Sequence, residues 1–450
     1  TLVLDWAKRV GGTGSDITNS IATDASGNVY STGTFNGTVD FDPGTGVYPM
    51  TTPNAASDAF ILKLDAAGNF VWAIQFGALA GDLGYAITTD ALGNVYTTGM
   101  FGFTVDFDPG VGVSNLIGPG GGDIFISKLD GAGNFIWAKM LGGSASTDYS
   151  YAIAVDVSYN VYTTGNFSNI NCDFDPGPAT YYFNSFGGTD IFVSKLDVSG
   201  NFVWARQFGS PNNQSGQGIA VDNAGNVYST GFFTYLTSPT DFDPGPGTAY
   251  LTSFGLADIY VSKLDASGNY VWAKQLGGGD QDGGMAIALD GVGDVIVTGH
   301  FALTADFDPA FTTQNITSAG SFDAFVCKLT TAGIYVWAKR LGGTGDDKAY
   351  GISLNAAGDV HTTGNFSTTA DFDPGAGTSN LVSSGGQDIF VSKLNNLGNF
   401  VLAYKMGGTG VDWGMALKAD AAGNIHTTGY FTGTADFNPG VGVLNLASAG

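Results

Sequence analysis

The chain contains no glutamate, and all 40 of its acidic residues are aspartate. Aspartate favours turns and caps where glutamate favours helix interiors, so this bias predicts strands joined by tight turns and almost no helix. Charge is scarce at 12% of residues, and only 16 residues are Lys or Arg, leaving a formal net charge of -24. That balance argues against nucleic acid, whose phosphates need a basic stripe, and favours cations or cationic surfaces. No apolar run is long enough to span a membrane, and no charged segment with a short apolar core opens the chain. The two cysteines, Cys172 and Cys327, fall in unrelated slots, so no disulfide is expected. Of the three histidines, His361 and His426 replace the Tyr of "NVYTTG" words and His300 the Asn of "TGNF", which makes them structural residues rather than catalysts. Zinc-ligand spacing and GxSxG are both missing, and the "GGTG" words open strands rather than helices, so they are not phosphate cradles.

What the chain does have is 70 glycines and a repeated word. "VDFDPGTG" begins at Val39 and returns, with small changes, at Val105, Cys172, Thr240, Ala305, Ala370 and Ala435. In step with it, Trp6, Trp72, Trp137, Trp204, Trp272 and Trp337 open "WA" words, with Leu402 in the seventh place. The period is 65 to 68 residues and leaves no linker, so residues 1–450 read as a single domain of one repeated architecture. Within residues 85–142, "YAITTD", "NVYTTGMF", "DIFISKLD" and "NFIWAKMLGG" are β-rich, and the outer two pairs are joined by short turns with Asp and Gly.

Four antiparallel strands per repeat predict an all-β, seven-bladed β-propeller. The chain opens on a fourth-strand word, "VLDWAKRVGG", and stops at "NLASAG", after two strands of a blade. The expectation is a last blade closed by the N-terminal strand and lacking one strand, with the natural polypeptide, and further domains, continuing past residue 450.

"DASGNVYSTG", "DAFILKLDAAGNFVWA" and "GGTGSD" resemble the bacterial β-propeller repeat known as SBBP, found in secreted and surface-attached proteins. The resemblance covers essentially the whole chain. It implies an extracellular or cell-surface scaffold and supplies no catalytic motif.

Alternation of strands puts the DxDPG words and the "GGTGSD"-type words on one face, giving it a ring of carboxylates. The second set is Asp16, Asp82, Asp148, Asp282, Asp347 and Asp412, and the fourth repeat replaces it with acid-free "GSPNNQSGQG". Three readings compete for the loop pairs Asp40 and Asp42, Asp106 and Asp108, Asp173 and Asp175, Asp241 and Asp243, Asp306 and Asp308, Asp371 and Asp373, and Asp436 with Asn438. They cap their own turns, or they bind Ca2+ with loop carbonyls completing the shell, or they are an acid/base pair. Seven similar copies disfavour catalysis, because acid and base need different surroundings.

Symmetry breaks in the third and fourth repeats, where Tyr181, Tyr182 and Tyr235 join Asn212 and Asn213 in a candidate ligand-binding patch. Aromatic faces and amides suit a glycan or a surface protein. The reading is therefore a non-enzymatic extracellular recognition, adhesion or scaffold module. The alternatives are a polysaccharide-acting enzyme using Asp acid/base, and a structural spacer in a longer surface protein or filament.

Overall fold

Hairpins built on aspartate set the local structure. Asp24 Oδ1 accepts the N–H groups of Ser26 and Asn28 at 2.9 and 3.0 Å, while Asn28 Nδ2 and Tyr30 Oη donate to Oδ2 at 2.7 and 3.0 Å. Gly27 follows with φ +78°, a conformation that a side chain would resist. The same cap recurs at Asp90, Asp156 and Asp420, so the turns expected from "DASGN" are formed.

In a computed structural model, residues 3–54, 56–143, 147–168, 170–234, 238–310 and 312–450 are described. Among these described residues the fold is all-β and of propeller type, with six blades of four antiparallel strands. The first blade comprises Ile17–Thr23, Val29–Phe35, Asp58–Leu64 and Phe70–Phe76, and the sixth Lys348–Leu354, Val360–Phe366, Asp388–Leu394 and Phe400–Gly408. Seven blades were expected, and the structure corrects that number. In the seventh repeat Asp412–Ala419 and Ile425–Phe431 form a two-stranded sheet, the loop hairpin of Thr434–Asp436 and Asn445–Ala447 joins the last strand of the sixth blade, and the opening word "VLDWAKRVGG" carries no strand. The reason lies in the ladder: in a blade the whole length of the fourth strand is held by the third, as Trp72 is by Lys63. Among the described residues no third strand pairs with the word "VLDWAKRVGG", so its backbone groups join no ladder.

The chain divides into two compact units. One comprises Thr1–Ala7, Asn226–Asp265 and Asn269–Ser448, the other Lys8–Gly225, Ala266–Gly268 and Ala449–Gly450. In the second unit one apolar core joins Tyr30 and Ile61 of the first blade to Val95, Phe107 and Phe125 of the next. In the first, Ile296 and Val326 pack with Val360 and Phe390 in the same way. The tryptophans clamp these contacts. Trp137 Nε1 donates to the carbonyl of Val198 at 3.1 Å and Trp272 Nε1 to that of Thr331 at 3.2 Å, each on the outer hairpin of the following blade. Cys172 and Cys327 are buried and unpaired with each other.

Candidate functional site

Each DxDPG word is the bend of a short hairpin, whose second strand was not foreseen from the sequence. Thr38–Asp40 pairs with Pro49–Thr51, and Thr304–Asp306 with Asn315–Thr317. In the fourth, fifth and sixth blades the last strand extends to pair with the next such hairpin, as Gly277 does with Asp306.

Asp40 Oδ1 accepts the N–H groups of Asp42 at 3.0 Å and Tyr48 at 2.8 Å, and Asp42 Oδ1 accepts that of Gly44 at 2.8 Å. The arrangement is repeated by Asp106 and Asp108, Asp173 and Asp175, Asp241 and Asp243, Asp306 and Asp308, and Asp371 and Asp373. Asp436 and Asn438 repeat it with an amide oxygen in the second place. Between the acids, Phe41 packs edge-on against Phe35 at 5.2 Å and against Phe60 at 5.1 Å, anchoring the bend in the blade. Among the described residues no three Asp, Cys or His side chains are grouped to hold a metal ion. A calcium ion at one of these loops would have two carboxylates and backbone carbonyls to draw on.

The irregular third and fourth repeats are only partly brought together. Tyr181 packs on Phe202 at 4.9 Å, and Tyr182 beside it is 54% exposed. Asn212 is buried, and Asn213 accepts the N–H of Thr189 through Oδ1 at 3.2 Å, in the loop before the fourth blade. Tyr235 lies outside the described residues. Missed by the sequence reading are Phe186, Tyr250 and Phe254, which are 61%, 60% and 75% exposed. Tyr182 and Tyr250 share one slot after the first loop aspartate, which holds Asn115, Asn315, Asn380 and Asn445 in other repeats; counting from that aspartate finds them.

A second aspartate system was not foreseen as a pair. Every third strand begins with Asp, and in five blades that residue meets the aspartate of the following four-to-one loop: Asp58 with Asp82, Asp123 with Asp148, Asp258 with Asp282, Asp323 with Asp347, and Asp388 with Asp412. All ten are essentially inaccessible to solvent. Burial, and the charge of Asp58, raise Asp82 to about 7 despite the N–H groups of Gly102 and Ala78. Asp282 and Asp347 stand at about 7 for the same reasons. A glycine lines four of the pairs. A Cβ on Gly142, at φ +143°, would lie 2.4 Å from Asp123 Oδ1 and 3.2 Å from Asp148 Oδ2. In the fourth repeat Gln214 takes the place of the loop acid, bonding Ser210 Oγ at 2.7 Å, which is what the acid-free "GSPNNQSGQG" provides.

Asp123 departs from its counterparts. Gln75, Gln207 and Gln275 donate to Oδ2 of Asp58, Asp190 and Asp258, and Arg340 and Lys405 pair with Asp323 and Asp388 at 3.4 and 3.2 Å. The matching residue in the second blade is Met140. Asp190, Asp258, Asp323 and Asp388 also accept the N–H four residues earlier, where Asp123 has Pro119. Neither oxygen of Asp123 has a well-formed hydrogen bond, and burial, then the Asp148 charge, push its carboxyl to about 7 against the nearby N–H groups of Gly120 and Gly143. Such pairs hold protons inside the fold rather than present them to a substrate.

Comparison with known proteins gives three likenesses. The SBBP family, described as "Beta-propeller repeat", matches residues 5–39 and 203–231. "Uncharacterized WD repeat-containing protein L264" of Acanthamoeba polyphaga mimivirus is 24% identical over 431 residues, covering 80% of this chain and 30% of that protein. "Regulatory protein FlaEY" of Caulobacter vibrioides is 27% identical over 145 residues, covering 32% of this chain and 15% of that one. The chain thus spans less than a third of the length of either relative. The crystal structure of Sqt1 from Chaetomium thermophilum aligns at 10% identity with a TM-score of 0.44, covering 93% of this chain and 95% of that one.

Proposed function

We propose that this β-propeller repeat protein is a protein-interaction scaffold acting outside the cell, which offers its loop hairpins to a partner protein with a cationic surface. The observation that carries this reading is the exposure of Tyr182 and Tyr250, each on a hairpin fixed by aspartate caps, and of Phe186 and Phe254 in the loops that follow, where their N–H groups are held by Asp190 and Asp258. Aromatic side chains held by a rigid support lose little freedom on binding and bring large contact areas. The net charge of -24 supports a cationic partner, whose approach it would steer. The printed description of the mimivirus relative as a WD repeat-containing protein agrees with a repeat scaffold.

Selection from a displayed peptide and protein library tests the proposal. Lys- and Arg-rich binders are expected, lost with Tyr182→Ala plus Phe186→Ala or with Tyr250→Ala plus Phe254→Ala, and retained with Val203→Ala on an outer strand. Binding to soluble polysaccharides with no protein ligand selected would contradict it.

In an extracellular medium, calcium would reach the loop aspartates through the oxygens not used in the caps. A higher Tm in millimolar calcium than in chelator supports calcium as a loop stabiliser, because an ion bound only to the folded state stabilises it by mass action. An unchanged Tm leaves the loops as caps alone.

A further inference from the structure

Three adjoining loop positions change character together in the second repeat. They are the third residue of the "GGTGSD"-type word, the residue before the loop hairpin and the residue that ends it. The first repeat holds Thr13, Gly37 and Thr51 there, and the seventh Thr409, Gly433 and Ala447. The second repeat holds Leu79, Phe103 and Ile117, three large apolar side chains that are 72%, 62% and 66% exposed. Their adjacency is fixed by the backbone. Thr104–Asp106 pairs with Asn115–Ile117, making Thr104 and Ile117 register partners, and the N–H of Gly118 donates to the carbonyl of Phe103 at 2.6 Å. On the other side, a Cβ on Gly102 would stand 2.5 Å from the Cβ of Ala80, so the residue after Leu79 abuts the residue before Phe103. In the sixth repeat the matching Thr344 and Thr368 bring their hydroxyls to 3.5 Å.

Phe103 also bears backbone strain. Its φ is +57°, in the left-handed region that Gly37 and Gly433 enter at +79° and +69° with no Cβ to clash. Strain of this kind persists where a side chain is used, and burial does not offset it here because the ring faces solvent. Leu303 and Thr368 share the conformation at +53° and +57°, but the first stands beside Gly279 and Thr317, and the second beside Thr344 and Val382. Only in the second repeat, among those compared, are all three positions large and apolar.

The charge beside the patch is negative. Asp106, on the same hairpin, is exposed and uses a single oxygen in its cap. The third-strand lysines of the first two blades are engaged on outer hairpins, Lys63 Nζ with the carbonyl of Gly131 at 2.7 Å and Lys128 Nζ with that of Val198 at 3.4 Å. We infer that Leu79, Phe103 and Ile117 form a second docking point for protein, which takes a partner segment carrying a large apolar side chain next to Lys or Arg. The three side chains supply contact area held on a fixed backbone, and Asp106 selects the cation. The inference rests on the scaffold reading, and it places a contact in the second repeat, apart from Tyr182 and Tyr250.

The test uses the whole chain with Tyr182→Ala, Phe186→Ala, Tyr250→Ala and Phe254→Ala together, so that failure of the third- and fourth-repeat patch and failure of this one are read separately. A displayed peptide library is selected on it. Peptides with Leu, Phe or Trp beside Lys or Arg are expected. Their binding should fall about tenfold or more with Phe103→Gly, and likewise with Leu79→Thr plus Ile117→Thr, which restore the residue types of the first repeat. Asp106→Asn keeps the cap and should weaken binding several-fold, most clearly at low salt. Phe103→Gly should leave Tm unchanged or raise it, because glycine enters this backbone freely. No selected peptide, peptides without Lys or Arg, or binding that these variants leave intact overturns the proposal. So does a lower Tm for Phe103→Gly, which would make the ring a support of the fold. Binding to phosphatidylcholine vesicles that Phe103→Gly abolishes would overturn it in favour of a lipid surface.

Discussion

Asp106 and Asp123 belong to the same blade and represent opposite solutions for a carboxylate. Asp106, on the loop hairpin, is exposed and takes the N–H groups of Asp108 and Ser114 on one oxygen. Asp123, at the start of the third strand, is fully buried, faces Asp148 and has neither oxygen well satisfied. The first fixes a bend through its hydrogen bonds to the backbone. The second makes the packing between neighbouring blades depend on a proton, because two buried carboxylates side by side cannot both ionise cheaply. Aspartate is thus used twice per repeat, and the supply of N–H groups and water decides which role each copy plays.

The largest effect sharpens the comparison from the core side. Phe107→Ala should cost about 3–5 kcal/mol, since the ring is fully buried against Phe101 and Phe125 and leaves a cavity. Urea unfolding measures it, and a cost no larger than a lost cap would show that the acids, not the aromatic, anchor the loop. Next, Asp123→Asn removes the charge but not the shape. It should stabilise the protein at pH 8 by about 2–3 kcal/mol and leave it nearly unchanged at pH 4, where the acid is protonated anyway. Equal effects at both pH values would break the contrast. Met140→Gln gives Asp123 the amide that Asp58 and Asp258 have, and should add about 1 kcal/mol at pH 8 in the same assay. The smallest effect is on the loop itself. Asp106→Ala should cost about 1 kcal/mol and Asp106→Asn much less, because a side-chain amide oxygen can still cap, as Asn438 does.

Much of this was legible in the sequence. The period, the strand words, the Asp-Gly hairpins and the cap reading of "DFDPG" rest on residue chemistry that acts within a few residues, so a single chain displays it. The blade number was not legible in the same way. The word "VLDWAKRVGG" has every local property of a fourth strand, but a strand needs a partner, and among the described residues no third strand pairs with it. Pairing across blades was hidden for a similar reason. The leading Asp of each "DIF" word was visible, yet nothing local says that it will meet the loop aspartate of the next repeat. Asn212 looked like an exposed amide because it lies in a loop; the structure shows it buried, and Gln214, two residues on, fills the interior slot that an acid holds in other repeats.

The central claim, that the buried aspartates hold protons in the folded state, predicts the sign of the pH dependence. Burial raises Asp82, Asp123, Asp282 and Asp347 from 3.8 to about 7, so the stability tied to their protons is complete below 3.8 and is lost as pH rises towards and through 7. Turn acids such as Asp24 and Asp130 are lowered by their caps and work the other way, losing their contribution only in stronger acid. The most direct measurement is urea unfolding at pH 5 and pH 8 for the natural chain and for Asp82→Asn with Asp123→Asn. The natural chain should be clearly less stable at pH 8, and the double variant should lose part of that difference, which separates the buried pairs from general repulsion by the net charge. A natural chain as stable at pH 8 as at pH 5, or a double variant with an undiminished slope, would contradict the account.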